Sequence, residues 1–441
     1  MATQVDIKYY NTYILKKIAD TATYGTSYNW YVEESRIRGG YNNVSTGLSP
    51  RAFIESETNN QQTLGNTLIY SGIFNSRTGI NQTNVFSAGK DITKAVDPSK
   101  GSIQKLHGED TNLTIFQERK VNRALIDKDA IYSAEGTPMQ TTSNVVIGQI
   151  QAYAGEFGIA TNPESFAVYG YRKYFTDAEK GSVMRLSMDG LTEISNYGMY
   201  DFFRDNLAGL GNGKIVGGWD IHNKCYTVSI QPQAPFADGT TYKTLSFDES
   251  ALGWTSTFSY KPDIVFSAVN NFYTTTSGFN DAKDGSIFQH YVELDTSGIT
   301  IPRATFYGTT EASTITTVFN TQPSVIKRFK TINYEGGPNW TMSSFVTNED
   351  SASAIAKYVV PTSLADMEAA LLQNKFKAKE DKYFANLINT STATSGEVIY
   401  GQSISGIKGF YAVVKLSADN TISSGTNELF ATSTDYTDSS Y

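Results

Sequence analysis

The sequence has almost no cysteine and very little histidine. A single cysteine, Cys225, in 441 residues excludes an internal disulfide framework and a thiolate zinc cluster, each of which needs several thiols. Three histidines, His107, His222 and His290, stand far apart in the chain, leaving little material for an imidazole metal site. Long apolar runs are missing too. No stretch approaches the ~20 apolar residues needed to cross a bilayer, and Asp6 and Lys8 sit where a secretory segment would need an apolar run. Neither a membrane partner nor export by a standard signal is expected. A basic excess is also absent: acidic residues outnumber basic ones 44 to 36, for a formal net charge of −8. Such a balance gives no whole-molecule attraction to DNA, RNA or anionic lipid, so nucleic acid is not expected as a main partner.

What the sequence does contain is aromatic and turn-forming. There are 28 Tyr and 24 Phe against 4 Trp, together with 36 Gly. Tyr, Phe, Thr and Val suit pleated, half-buried surfaces, while Gly, Asn and Asp supply the tight turns between them. Charged residues at 18% and hydrophobic residues at 39% argue for a folded chain. The composition is that of a mainly β protein, and the length suggests two to three domains.

Three segments are distinguished. Residues 1–45 read as an N-terminal arm: Tyr10, Ile14 and Ile18 recur at i, i+4 and i+8, as an amphipathic helix requires, followed by a strand and loop in YVEESRIRGGYNN from Tyr31. Residues 46–340 alternate in short runs broken by Gly, Asn and Asp. Four strand–turn–strand blocks stand out there, at Asn112–Asp127, Ser165–Gly190, Cys225–Ser256 and Asn271–Tyr291. Taking Ile115, Val168, Val228 and Tyr273 as equivalent gives a repeat near ~50 residues, which predicts a β-propeller-like domain. A two-sheet sandwich is the rival architecture. Residues 341–441 read as a small α+β appendage, with a helix capped at Pro361–Ser363, lysines Lys375, Lys377 and Lys379 toward its end, alternating strands at 382–387 and 410–416, and a loose tail from Ser423.

Catalytic candidates are few. Asp189, Glu193, Asp220, Asp248 and Glu249 are the acids that a propeller glycosidase would need to bring together, but their positions beside turns suit turn chemistry equally. His222 and Cys225 form H-x-x-C without further ligands nearby. Neither a P-loop nor a G-x-S-x-G elbow is present. No enzymatic activity, metal or cofactor is expected. The basic residues Arg36 and Arg38, and Lys327, Arg328 and Lys330, travel with Glu33, Glu34 and Glu335, which suits ion pairs within the chain or across an interface. The expected interface residues are Tyr10, Ile14, Ile18, Arg36, Arg38, Lys327 and Arg328.

Several runs resemble virion structural proteins of tailed bacteriophages, including those of marine T4-like myoviruses and parts of crAss-like phage tail proteins. They are EESRIRGGYNN from Glu33, LIYSGIFNSRTGINQTNVF from Leu68, the run from Ala95 to Gly136, SFAVYGYRKYFTDAEKGSVMRLSMDGLTEIS from Ser165 and QPSVIKRFKTINYEG from Gln322. The resemblance implies a structural subunit of the tail, neck or baseplate, assembled in host cytoplasm into the virion. Its implied partners are other virion proteins and copies of itself in a ring, and it carries over no catalytic residue. A propeller that binds or cleaves host-surface glycan is the alternative.

Overall fold

The computed structural model describes residues 11–19, 28–37, 64–72, 74–75, 77–83, 86, 92–109, 112–132, 138–276, 286–295, 297–358, 374–380, 382–390, 406–420 and 427–439. Over these residues the chain is mainly β, with one α-helix among them. It divides into two compact units, Met1–His290 and Tyr291–Tyr441. The division falls some way before residue 340, where the sequence places it, because strands on both sides of 340 share sheets in the second unit.

In the first unit β1 (Asn11–Ala19) pairs antiparallel with β2 (Tyr28–Ile37). The expected helix around Tyr10, Ile14 and Ile18 is therefore a strand from Asn11 onward; Tyr10 lies outside the described residues. A spacing of four is even, so it repeats along one face of a strand as well as along a helix. The β-branched and aromatic run Thr12, Tyr13, Ile14 then favours the pleated form. Two short ladders follow in which β3 (Thr67–Ile69), β4 (Phe74–Asn75), β5 (Ile80–Asn81) and β6 (Thr93–Ala95) pair as β3 with β6 and β4 with β5.

Four antiparallel meanders then succeed one another in chain order. The first holds β7 (Ile103–Glu109), β8 (Asn112–Gln117), β9 (Val121–Tyr132) and β10 (Pro138–Ala152). The second holds β11 (Ala167–Tyr169), β12 (Arg172–Asp177), β13 (Ser182–Ser187) and β14 (Gly190–Glu193). Next, α1 (Tyr200–Ala208) buries Phe203 and Leu207, one turn apart, and packs on β13. The third meander holds β15 (Lys214–Asp220), β16 (Cys225–Gln231), β17 (Lys243–Asp248) and β18 (Gly253–Phe258); the fourth, β19 (Ile264–Ala268), β20 (Asn271–Thr275) and β21 (Ile287–Gln289). Among the described residues no sheet closes into a barrel or propeller. Ile115, Val228 and Tyr273 all fall on second strands, but Val168 falls on a first strand, β11. The alternating text of SFAVYGYRKYF runs straight through a tight turn at Gly170, whose φ of +55° suits glycine.

First strands of successive meanders pack side by side, β11 with β15 and β15 with β19. Two adjacent glycines in β15 permit the approach. A Cβ on Gly217 would lie 2.1 Å from the Ser165 carbonyl oxygen, and one on Gly218 would lie 2.3 Å from Val265. Between the second and third meanders runs a stack of four rings. Tyr169 lies on Trp219 with centroids 4.3 Å apart, Trp219 on Tyr174 at 5.3 Å, and Tyr174 on Tyr226 at 5.0 Å, offset arrangements that add to the apolar burial.

The second unit is a sandwich. After the small hairpin β22 (Thr305–Phe306) and β23 (Thr309–Thr310) come β24 (Ser313–Phe319), β25 (Lys327–Gly336), β26 (Trp340–Thr347), β27 (Ser351–Ala352), β28 (Lys377–Lys379), β29 (Lys382–Asn386), β30 (Ile407–Gly409), β31 (Ala412–Ala418) and β32 (Leu429–Asp438). One sheet runs β24-β31-β26-β27. In the other, β29 and β30 share one edge of β25, β32 takes the opposite edge, and β28 extends β29. Phe329, Ile332 and Tyr334 from this sheet meet Met342, Phe345, Val414 and Leu416 from the first in a single core. The expected helix from Pro361 lies outside the described residues over 361–373, and its expected basic end, Lys377 and Lys379, is strand β28. The tail expected to be loose from Ser423 instead forms β32 over Leu429–Asp438. Its Ser, Thr and Asp composition hides a period-two Thr and Tyr pattern suited to an edge strand.

Candidate functional site

Three of the five candidate acids are held by local bonds. Asp220 Oδ1 accepts from the backbone N–H groups of His222 at 2.9 Å and Asn223 at 3.2 Å, closing the β15–β16 turn. Asp248 Oδ1 does the same for Ser250 at 2.7 Å, and the Ser250 hydroxyl holds its carboxyl below the usual range. Glu193 accepts from Ser182, Ser195 and Asn196.

Asp189 and Glu249 do come together, on Arg185. Arg185 Nη1 donates to Glu249 at 2.9 Å and its Nη2 lies 3.6 Å from Asp189. Glu249 also accepts from the Tyr174 hydroxyl at 2.6 Å, and Arg172 stands 3.8 Å away. Burial, and then the bond to Glu249, raise the Tyr174 hydroxyl above its ordinary range. A general acid in glycoside hydrolysis must stay protonated, and Asp189 is shifted the other way. Asp189 is held below the usual carboxylate range, chiefly by the Ser187 hydroxyl. The group clasps the second meander to the third. The carboxyl that is raised by burial, Asp177, is instead occupied by the backbone N–H groups of Gly158 at 3.0 Å and Lys180 at 3.1 Å.

Thiol and imidazole groups are similarly committed. Cys225 is buried in β16, and burial pushes its thiol up to about 12. His290 is packed against the Tyr260 and Phe272 rings with Nε2 2.7 Å from the Thr274 hydroxyl, and burial pushes it down to about 4. Among the described residues no group of three or more His, Cys, Asp or Glu is placed to hold a metal ion.

The expected interface residues separate. Ile14 pairs with Glu34 and Ile18 with Asn29 across the β1–β2 ladder, and Arg36 pairs with Thr12; Tyr10 and Arg38 lie outside the described residues. Lys327 is 1% exposed and turns inward. Its ammonium donates to the carbonyls of Gln322 at 2.9 Å, Val325 at 3.1 Å and Phe410 at 2.5 Å, which uses all three of its donors. Loss of solvation lowers its pKa. This lysine ties β25 to the β30–β31 turn rather than facing a partner. Beside it a cleft of about 200 Å³ is lined by Phe319, Phe329, Thr434 and Tyr436.

Arg328 points the other way. It lies on the outer face of its sheet opposite Lys408, and that face also gathers Lys377, Lys379 and Lys382 from β28 and β29. The sequence alone hides the assembly because these residues lie up to 80 positions apart, and Lys377 and Lys379 fall where the pattern predicts a helix. Only the strand order brings them together.

Residues 301–390 match the family model of the Crassvirus muzzle protein C-terminal domain. The match spans β22 to β29 and stops short of β31, which sits between β24 and β26. No curated protein matches the chain. No helix among the described residues is long and apolar enough to cross a membrane. The similarity of the C-terminal segment to a crAss-like phage domain supports a phage virion protein.

Proposed function

We propose that the chain is a structural subunit of a bacteriophage virion, held by protein–protein contacts in the tail, neck or baseplate and repeated as copies in a ring. The observation that carries this reading is the match of residues 301–390 to the crassvirus muzzle domain. The meanders add support as blade-like sheets of a propeller-like scaffold, since the first strands of the second, third and fourth pack side by side. The role is geometric and not enzymatic: the acids clasp turns and sheets, and Cys225 is packed away.

Purified virions, analysed by mass spectrometry and labelled with an antibody to this chain, should contain it at one defined location in fixed copy number. Its absence from particles would overturn the proposal. So would release of reducing sugar from host polysaccharide by the purified protein, if Glu249→Ala or Asp189→Ala abolished that release without unfolding.

A further inference from the structure

The outer face of the sheet built on β25 violates the usual electrostatics of paired strands. Lys379 stands directly opposite Lys382, and Arg328 directly opposite Lys408; like charges so placed destabilise a sheet. Lys377, opposite Phe384, belongs to the same face. Alternation fixes the side: Phe329, Tyr334, Ala385 and Ile407 enter the core, so Arg328, Lys382 and Lys408 point away from it. Two acids stand on its strands, and a third, Asp350, borders it, its carboxylate accepting from the Lys408 backbone N–H at 2.8 Å. Glu335 binds Lys382 at 2.6 Å, and Asp435 accepts from the Thr331 hydroxyl at 2.8 Å. Among the described residues Lys377, Lys379, Lys408 and Arg328 have no ion pair, and the buried Nε of Arg328 has no hydrogen-bond partner.

We propose that this face binds an acidic surface of a second copy of the chain, head to tail. The inference rests on the structural-subunit reading above and names its contact. A local breach of a pairing rule marks a site where another requirement was met, and an acidic partner would relieve both opposed cation pairs. Charge complementarity points to another copy: five cations against three acids, Glu335, Asp435 and the bordering Asp350, stand on a chain of net charge −8, so the rest of the chain is more acidic still. A basic patch cannot meet its own image across a two-fold axis, so the contact is heterologous, the kind that closes rings or extends filaments. Nucleic acid fits less well. Glu335 and Asp435 interrupt the path of a phosphate backbone, and Phe384, the aromatic among the cations, is half-buried and offers no stacking platform.

Sedimentation velocity of the full chain, over a range of protein and salt concentrations, tests the contact. The wild type should form oligomers that dissociate as salt rises. The triple variant Lys377→Glu, Lys379→Glu, Lys408→Glu alters exposed side chains and should weaken association by about tenfold or more, while its circular dichroism melt is no lower than the wild type's, since the glutamates at 379 and 408 then face Lys382 and Arg328 across the ladder. The milder Lys377→Gln, Lys379→Gln pair should lie between. A wild type that stays monomeric throughout, or oligomers indifferent to both variants, would overturn the inference. Binding of a labelled DNA duplex that the triple variant abolishes, with self-association intact, would overturn it in favour of nucleic acid. Analysis of virions keeps the two readings apart: a chain present in particles but monomeric here loses the contact and retains the structural role.

Discussion

The Tyr174 hydroxyl, on β12 of the second meander, donates to the Glu249 carboxylate in the β17–β18 turn of the third at 2.6 Å. Arg185 reaches the same carboxylate from β13. Both the acid and the arginine are nearly buried, each side chain 12% exposed. Removing the carboxylate therefore leaves a cation short of its partner and a buried hydroxyl short of an acceptor. Glu249→Ala is expected to destabilise the first unit by about 3 kcal/mol, read by urea denaturation. Glu249→Gln, which can still accept, should cost less. A double-mutant cycle with Tyr174→Phe should give a coupling of about 1 kcal/mol or more; strict additivity would show that the contact across the two meanders is not energetically used.

Gly217 is expected to be intolerant of any side chain. A Cβ there would meet the Ser165 carbonyl oxygen and the Tyr226 hydroxyl, at 2.1 and 2.7 Å, and the carbonyl belongs to a backbone that cannot swing aside as a side chain can. Gly217→Ala should destabilise by about 1–3 kcal/mol as an overpacked site. Gly239, whose Cβ would meet nothing within 4 Å, is a control for crowding. Its φ of +79° makes any loss at Gly239→Ala a backbone effect alone. Equal melting temperatures for wild type and Gly217→Ala would contradict the close approach of β15 to its neighbour.

His290 gives the first unit a dependence on acid. Burial depresses its folded pKa to about 4 from an ordinary 6.5, so between these values the unfolded chain takes up a proton that the folded one refuses. Stability from this group is complete above about pH 6.5 and is lost as pH falls through 4, a contribution of about 3 kcal/mol in total. Urea titrations at stepped pH should show that slope, and His290→Leu should flatten it. An unchanged slope in the variant would assign the acid sensitivity elsewhere.

Much of the β content was legible because it rests on local chemistry: Gly, Asn and Asp at turns, alternating Tyr, Phe and Thr between them. The blocks around Ile115, Val228 and Tyr273 fall on equivalent strands for that reason. Failures came where two structures share one local signal. Ile14 and Ile18 satisfy helix and strand alike, and the alternation that makes Val168 look equivalent to the others continues through the turn at Gly170. The Gly217–Gly218 pair was a readable sign of close backbone approach within a strand, but nothing local says which backbone approaches. The basic face was least legible of all. Arg328, Lys377 and Lys408 become neighbours only through the order in which β28, β29, β25 and β30 pair, and the inward turn of Lys327, one residue away, follows from carbonyls supplied by two separate loops.

The C-terminal strand offers the sharpest contrast between composition and structure. Read as a tail, residues 427–441 would be dispensable. In the fold β32 covers the full length of one edge of β25, from Lys327 opposite Asp438 to Gly336 opposite Leu429. Thr434 Oγ1 donates to the Thr331 carbonyl at 2.7 Å, Trp340 Nε1 donates to the Glu428 carbonyl at 3.0 Å, and Tyr436 packs on Phe329. Truncation after residue 426 strips these partners away and opens a ten-residue edge, which is a template for pairing with other chains. The truncated protein should melt earlier, lose amide protection along β25 in hydrogen exchange, and become turbid at concentrations where the full chain stays clear. A truncated chain with unaltered exchange in β25 would return these residues to the status of a tail.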